Sequence, residues 1–318
     1  MGKKRLELQF KDAADLRRRP GADKFALKKE GKLAGCAFIF GNSSFYNMLD
    51  VADNFCHWLS DNDIHFEFIE DIPVQMWNAF LEAKAERVGP TTLNYYASHI
   101  RTWEKIINAA FESSEVKWSK ELMVPHRLNT GEQELQRIQQ MQREDFALIQ
   151  EYIRESKTQS QGAIAVELSA RLGLRVEGTA RIKVQNVHLD VKGYWDFGTV
   201  DIKEKGGRRR IIDIKTEDDR QFLARLIAGK VPDENLVPIK KDSVNKFLYR
   251  AMTKLGLKEK YPATSIHSIR KMYAQETWDN CRNRGYTWDK ALRYVNRQLG
   301  HGEERNKQLL GVYVKDMW

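Results

Sequence analysis

The second half of the chain carries a set of side chains whose types and order suit chemistry at a phosphodiester. Arg175 stands in ARLGLRVEG, Lys205 in VDIKEKGGRRRIIDI, His267 and Arg270 in SIHSIRKMYA, His301 in QLGHGEE and Tyr313 in LLGVYVKDMW. The i, i+3 spacing of His267 and Arg270 puts both side chains on one face of a helical turn. Transesterification at a phosphate builds negative charge on its oxygens. Two guanidiniums can clamp those oxygens bidentately and, being permanently charged, need no tuning. Imidazoles accept and donate protons near neutral pH. A phenol, with a reference pKa of about 10, needs local cations or a base before it becomes nucleophilic. A lysine on a hairpin can protonate a departing 5′ oxygen. Such a set requires no metal ion. The three cysteines, Cys36, Cys56 and Cys281, show no CxxC or Cys/His ligand spacing, so neither a zinc site nor a disulfide framework is expected, and no cofactor.

Taken singly, each element has a plainer explanation. HxxR recurs by chance in many proteins. LGH reads equally well as a helix end with a buried histidine, and Arg208, Arg209 and Arg210 as a solvated basic turn. Lys203 is a second candidate for the acid, because the register of the hairpin is open by a residue or two.

The elements that must position these groups follow from periodicity. Phe45, Met48, Val51, Phe55 and Trp58 recur at helical spacing, with Asn42 or Ser43 placed to cap. A second helix is expected from Pro73 to about Val88, ended by Gly89-Pro90. A third carries the stripe Leu93, Tyr96, Ile100, Trp103, Ile107, Ala110 and Phe111, and its other face shows Asn94, Ser98, Arg101 and Lys105. After a lapse between Lys117 and Gln142, helices are expected at 143–156 and 162–172. Short strands follow at Val187–Leu189, Tyr194–Phe197, Thr199–Lys203 and Arg210–Ile214, and helix again from Asp242. The expected organisation is an arm or loosely packed extension over 1–40, a helical domain over 41–125, a linker over 126–141 and a second domain over 142–318.

Composition agrees with two soluble domains. The 318 residues are 42% hydrophobic, enough for packed cores, and 53 Lys and Arg against 44 Asp and Glu give a net charge of +9. That excess favours a polyanionic partner, although a solvated basic surface is the ordinary explanation. The first residues, MGKKRLELQFKDAADLRRRPG, lack the apolar run of a secretory signal, and no stretch is apolar enough to span a bilayer. A cytoplasmic location without membrane contact is expected.

In order and context, the motifs GLRV around Arg175, the Lys205 hairpin, HSIR, LGHG and Tyr313 resemble the tyrosine recombinases, or phage integrases, over roughly residues 140–318. The helical first half, with TTLNYYASHIRTW, looks like that family's core-binding domain. The resemblance implies a mainly α protein with a small antiparallel β-sheet, whose core-binding and catalytic domains form a C-shaped clamp on duplex DNA. It implies that Arg175 and Arg270 hold the scissile phosphate, that Lys205 is the general acid and that His267 and His301 assist proton transfer. Tyr313 would form a 3′-phosphotyrosine and release a 5′ hydroxyl, without metal or ATP. Lys203, Arg208, Arg209, Ser98 and Arg101 would contact DNA. Double-stranded DNA is the implied partner, bound by a homotetramer, with a monomer in solution and an accessory DNA-bending protein as further expectations.

Three features depart from the family pattern. Gly178 replaces the acidic residue three positions after Arg175, with Glu177 one position early. The intervals from Arg270 to His301 and from His301 to Tyr313 are both long. Only Val314 to Trp318 follow the tyrosine here, so protomers would meet through a smaller contact at Trp318 or in another way. Two other functions fit: a type IB topoisomerase-like enzyme, and a DNA-binding regulator that keeps the fold with little cleavage activity.

Overall fold

Large apolar side chains at helical spacing build the first of two units, Met1–Thr130. The computed structural model describes residues 5–22, 27, 30–31, 37–111, 115–126, 139–156, 160–203, 209–301 and 311–314. The first unit is built on the α-helices α1 (Leu6–Leu16), α2 (Asn42–Asp61), α3 (Val74–Ala85) and α4 (Pro90–Ala110), with a 3-10 turn at Ile69–Asp71. Their buried faces meet in an aromatic core, where Phe55 stacks on Trp77 at 3.6 Å and Phe10 meets Trp103 edge-on at 4.9 Å. The buried indole N–H groups of Trp103 and Trp118 donate to the carbonyls of Met48 (3.1 Å) and Ile72 (2.8 Å), which removes the penalty of burying them.

Helix α1 corrects the expected arm. Leu6, Phe10, Ala13 and Ala14 lie at i, i+4, i+7 and i+8, and the last three are fully buried against α2 and α4. Charged residues between them had hidden a helix that belongs to the core. Helix α2 is preceded by Gly41 and has no side-chain cap, so neither Asn42 nor Ser43 caps it.

The second unit, Gly131–Trp318, is mixed. Its described elements are α5 (Arg143–Glu155), α6 (Gln161–Leu172), α7 (Val176–Arg181), β1 (Val187–His188), β2 (Thr199–Lys203), β3 (Arg209–Asp213), α8 (Glu217–Ile227), α9 (Lys241–Lys254), α10 (Ile266–Asn283) and α11 (Trp288–Leu299). Helix α6, rich in Ala and other small or aliphatic residues, is buried nearly all round and packs on α9 and α10. The strands form one antiparallel sheet in the order β1-β2-β3, with Val200 opposite Ile212 and Ile202 opposite Arg210. Period-two alternation turns Val200, Ile202, Arg210 and Ile212 inward.

Tyr194–Phe197, expected as a strand, is a turn. Asp196 (φ 61°) and Gly198 (φ 114°) take positive φ, which breaks an extended run, and Trp195 instead enters an aromatic cluster with Tyr273, Trp278, Tyr286, Tyr294 and Tyr313. The long Arg270–His301 interval supplies most of that cluster. Residues 127–138 of the expected linker lie outside the described residues, whereas Met141 is fully buried and its N–H donates to the Ser268 carbonyl at 3.3 Å. Among the described residues, no helix is long and apolar enough to cross a membrane.

Candidate active site

Helix α6 ends at Gly173, and this glycine sets the direction of the chain toward Arg175. Its φ of 58° lies in the left-handed region, and a Cβ there would stand 2.6 Å from Cε1 of the Tyr273 ring. Two residues on, Arg175 is the extended residue that precedes α7 and is half-buried. Its carbonyl accepts from the Thr179 N–H (2.9 Å) and Oγ1 (3.2 Å), and the Thr179 hydroxyl pairs with the buried Ser169 hydroxyl at 2.7 Å. A neutral Ser–Thr pair thus steadies the turn that carries Gly178.

Helix α10 opens with Ser265, whose hydroxyl accepts from the His267 N–H, and one turn of it carries His267 and Arg270. Arg270 is fully buried. Its Nη1 donates to the Gly173 carbonyl and its Nη2 to the Leu299 carbonyl, while the same guanidinium hydrogen-bonds the Tyr313 side chain. Helix α11 ends at Gly300 in the left-handed conformation (φ 66°), and His301 follows with its N–H on the Asn296 carbonyl at 2.9 Å. The LGH motif is therefore a helix end and also part of the cluster around the tyrosine.

Tyr313 is the centre of that cluster. Residues 311–313 are helical, and Tyr313 is only 7% exposed. The His267 ring is 5.3 Å from its ring, the His301 ring 5.4 Å, and the Arg270 Cζ 5.9 Å from its centroid. Arg175 also acts on it electrostatically. The structure thus brings together Arg175, His267, Arg270, His301 and Tyr313. The other tyrosines nearby, Tyr273 and Tyr294, are packed, and burial raises the pKa of both.

The electrostatics are those of a receptor for an anion. Burial first, and then Arg270, lower the pKa of Arg175; burial likewise lowers that of Arg270, opposed by Tyr313. His267 is an exposed residue whose ring is nevertheless hemmed in by protein. That surrounding bulk, and after it Lys271, Arg270 and Arg175, hold its pKa down to about 4, so the ring is neutral at pH 7. Lys271 is itself buried.

Other expected residues fall elsewhere. Lys205 and Arg208 lie outside the described residues. Lys203 is exposed at the end of β2, and Arg209 opposite it pairs with Asp201 through Nη2 at 2.6 Å and Nε at 2.8 Å. Ser98 and Arg101 are exposed on α4 of the first unit. Arg210 lies in a strand, as expected for Arg210–Ile214, but it is buried at 3% exposure rather than part of a solvated basic turn. The missed signal is the alternation Arg210, Ile212, Ile214, which assigns the arginine to the inward face of its strand. Asp213 was also missed. Its buried Oδ2 accepts from the Tyr294 hydroxyl (3.0 Å), Arg297 Nη2 (3.0 Å) and Gln298 Nε2 (2.8 Å), which fastens α11 to β3. Among the described residues, no group of His, Cys, Asp and Glu is arranged to hold a metal.

No family model and no curated protein matches the chain. Solved structures do. The XerH site-specific recombinase bound to palindromic difH substrate, in a post-cleavage complex, aligns over 98% of this chain and 87% of that one, with 14% identity and a TM-score of 0.59. A lambda integrase(75-356) dimer bound to a COC′ core site aligns over 91% and 94%, with 15% identity and a TM-score of 0.54. A lambda integrase tetramer bound to a Holliday junction aligns over 88% and 78%, with 13% identity and a TM-score of 0.56. The chain has the tyrosine-recombinase fold. In that fold, the mainly helical chain and the small sheet expected from the sequence are both present.

Proposed function

We propose that this chain is a site-specific DNA recombinase that breaks and rejoins strands through a phosphotyrosine at Tyr313. The observation that carries this reading is the enclosure of one phenol by two imidazoles and a buried guanidinium. Tyr313 Oη attacks the scissile phosphorus, the bond to the 5′ oxygen breaks, and Lys205 (or Lys203) gives that oxygen a proton. The phenolic proton passes to His267 or His301. Attack by the 5′ hydroxyl of another strand reverses the step and reseals the backbone without ATP. Arg175 and Arg270 hold the phosphate oxygens, where each guanidinium stabilises charge that grows in the transition state. A pKa of about 4 makes His267 a weak base in the free protein. Burial is the first cause of that depression, and an arriving phosphate offsets the second, the neighbouring cations, which raises the pKa.

Duplex DNA is the substrate in this reading, held mainly through phosphate contacts that include Lys203, Arg208, Arg209, Ser98 and Arg101. Affinity should therefore fall steeply with added salt. A homotetramer on DNA, joined where needed by an accessory DNA-bending protein, would assemble two sites and four strands. The test offers the protein two copies of each fragment of its flanking genomic DNA, alongside a supercoiled plasmid. Exchange of flanks between the paired fragments is the expected result. Relaxation of the plasmid without exchange would indicate a topoisomerase-like enzyme. Binding with neither activity would indicate a regulator.

A further inference from the structure

Two helices in the second unit end next to the chemistry, and one buried arginine holds both ends. Helix α6 stops at Leu172-Gly173, two residues before Arg175, and α11 stops at Leu299, two residues before His301. The last carbonyls of a helix have no partner within it and carry its negative pole. Arg210 reaches across from β3 to both sets. Its Nη2 donates to Leu172 O at 3.0 Å and Gly173 O at 3.2 Å, and its Nε donates to Gln298 O at 2.6 Å. Asp213, three residues along the strand, grips the same glutamine: its N–H donates to Gln298 Oε1 at 3.0 Å and its Oδ2 accepts from Nε2 at 2.8 Å.

We propose that Arg210 is a positioning residue of the recombinase site, tying the end of α6 to the end of α11 and so fixing where Arg175 and His301 stand. This rests on the reading of the site given above. A planar fork of fixed geometry can bridge carbonyls on two helices, whereas a single ammonium cannot reach both with the same directions. Burying a guanidinium is unfavourable unless its donors are met. The paired helix ends meet them and account for a charge where an aliphatic side chain would fill the space. Leu174, which links α6 to Arg175, and Leu299, the last residue of α11, are fully buried, and only Gly300 separates Leu299 from His301, so a shift of either helix end passes to the functional side chain beyond it. Arg270 repeats the arrangement on Gly173 and Leu299 from the other helix, α10, while also touching Tyr313. Both buried arginines thus brace the two helix ends, Arg270 beside Tyr313 and Arg210 from β3.

The test uses the full chain with Arg210→Lys and Arg210→Gln. The first readout is titration of the His267 ring by NMR in the free protein, assigned with His267→Asn. The cations that depress this ring are Lys271, Arg270 and Arg175, not Arg210. A rise toward its reference value of about 6.5 in Arg210→Gln, with a smaller rise in Arg210→Lys, therefore reports that the enclosure of the ring, the largest cause of its depression, or the placing of those cations has changed. The second readout sets affinity for a nicked flanking-DNA fragment against the single-turnover rate of covalent adduct formation. Affinity should stay within about 3-fold, whereas the rate falls about 100-fold in Arg210→Gln, as misplacement of reacting groups by an ångström does, and less in Arg210→Lys. An unchanged His267 titration in a folded variant would overturn the proposal, as would parallel losses of binding and rate. Failure of both variants to fold would make Arg210 a core residue only, and would overturn it too. If wild type itself forms no adduct, the recombinase reading fails and the titration alone decides whether Arg210 positions these groups.

Discussion

Replacing Gly173 with alanine should injure both stability and the site, by an amount that can be worked from the turn itself. The residue sits at φ 58°, where an L side chain is disfavoured by about 1–2 kcal/mol. The new Cβ would also stand 2.6 Å from Cε1 and 2.8 Å from Cγ of Tyr273. That ring cannot step aside cheaply: it is 2% exposed, has the Lys215 ammonium 3.5 Å from its centroid, and its hydroxyl lies 3.4 Å from Gln298 Oε1. Overpacking of this kind costs about 1–3 kcal/mol, so the total should be about 2–5 kcal/mol. Urea unfolding would measure it as a lower midpoint at unchanged slope. A double-mutant cycle with Tyr273→Ala separates the two causes. Removing the ring alone costs about 3–5 kcal/mol, and the double variant should be less destabilised than the two single losses combined, by about 1–3 kcal/mol. Strict additivity would refute the steric argument. A loss below about 0.5 kcal/mol in Gly173→Ala, the range of an ordinary surface change, would refute both.

Two further outcomes follow from buried charge. Asp213→Asn turns one acceptor of three donors into a group that must present hydrogens to some of them, and should destabilise by about 1.5–3 kcal/mol in urea; a change near zero would mean α11 is held otherwise. Lys215 has its ammonium enclosed against Tyr273 and Thr277 although part of the residue reaches solvent, and burial lowers its pKa to about 7 from 10.5. Above pH 7 the unfolded chain keeps a proton that the folded chain has released, so this group makes stability rise with pH from about 7 toward 10, by at most about 1.4 kcal/mol per unit. Lys215→Met should flatten that slope over pH 7–9 in urea midpoints, and an unaltered slope would contradict the assignment.

Much of this site was legible from residue order. Arg175, His267, Arg270, His301 and Tyr313 were expected to meet, and the first four surround the last. What escaped was whatever depends on tertiary placement. The strand from Arg210 was expected, but the plainer reading of three consecutive arginines as a solvated turn passes over its two-residue period, which buries Arg210 on the same side as Ile212. The run Tyr194–Phe197 has the aromatic content of a strand, but Trp195 is claimed by the cluster around Tyr294 and the chain turns there. Helix α1 interleaves its apolar residues with charged ones, and only the neighbouring aromatic core shows why Phe10 matters. The Asp213 network joins residues more than 80 positions apart, and nothing in its local sequence marks it.

The central claim is that Tyr313 becomes covalently joined to DNA. Wild type and Tyr313→Phe would be incubated with nicked fragments of the flanking genomic DNA, so that the freed strand diffuses away, and run on a denaturing gel, with any adduct digested and its modified peptide sequenced by mass spectrometry. The account predicts an adduct in wild type, carried on the peptide containing Tyr313 through a 3′ phosphate, and none in the variant. An adduct that persists in Tyr313→Phe, or that maps to another residue, would contradict it.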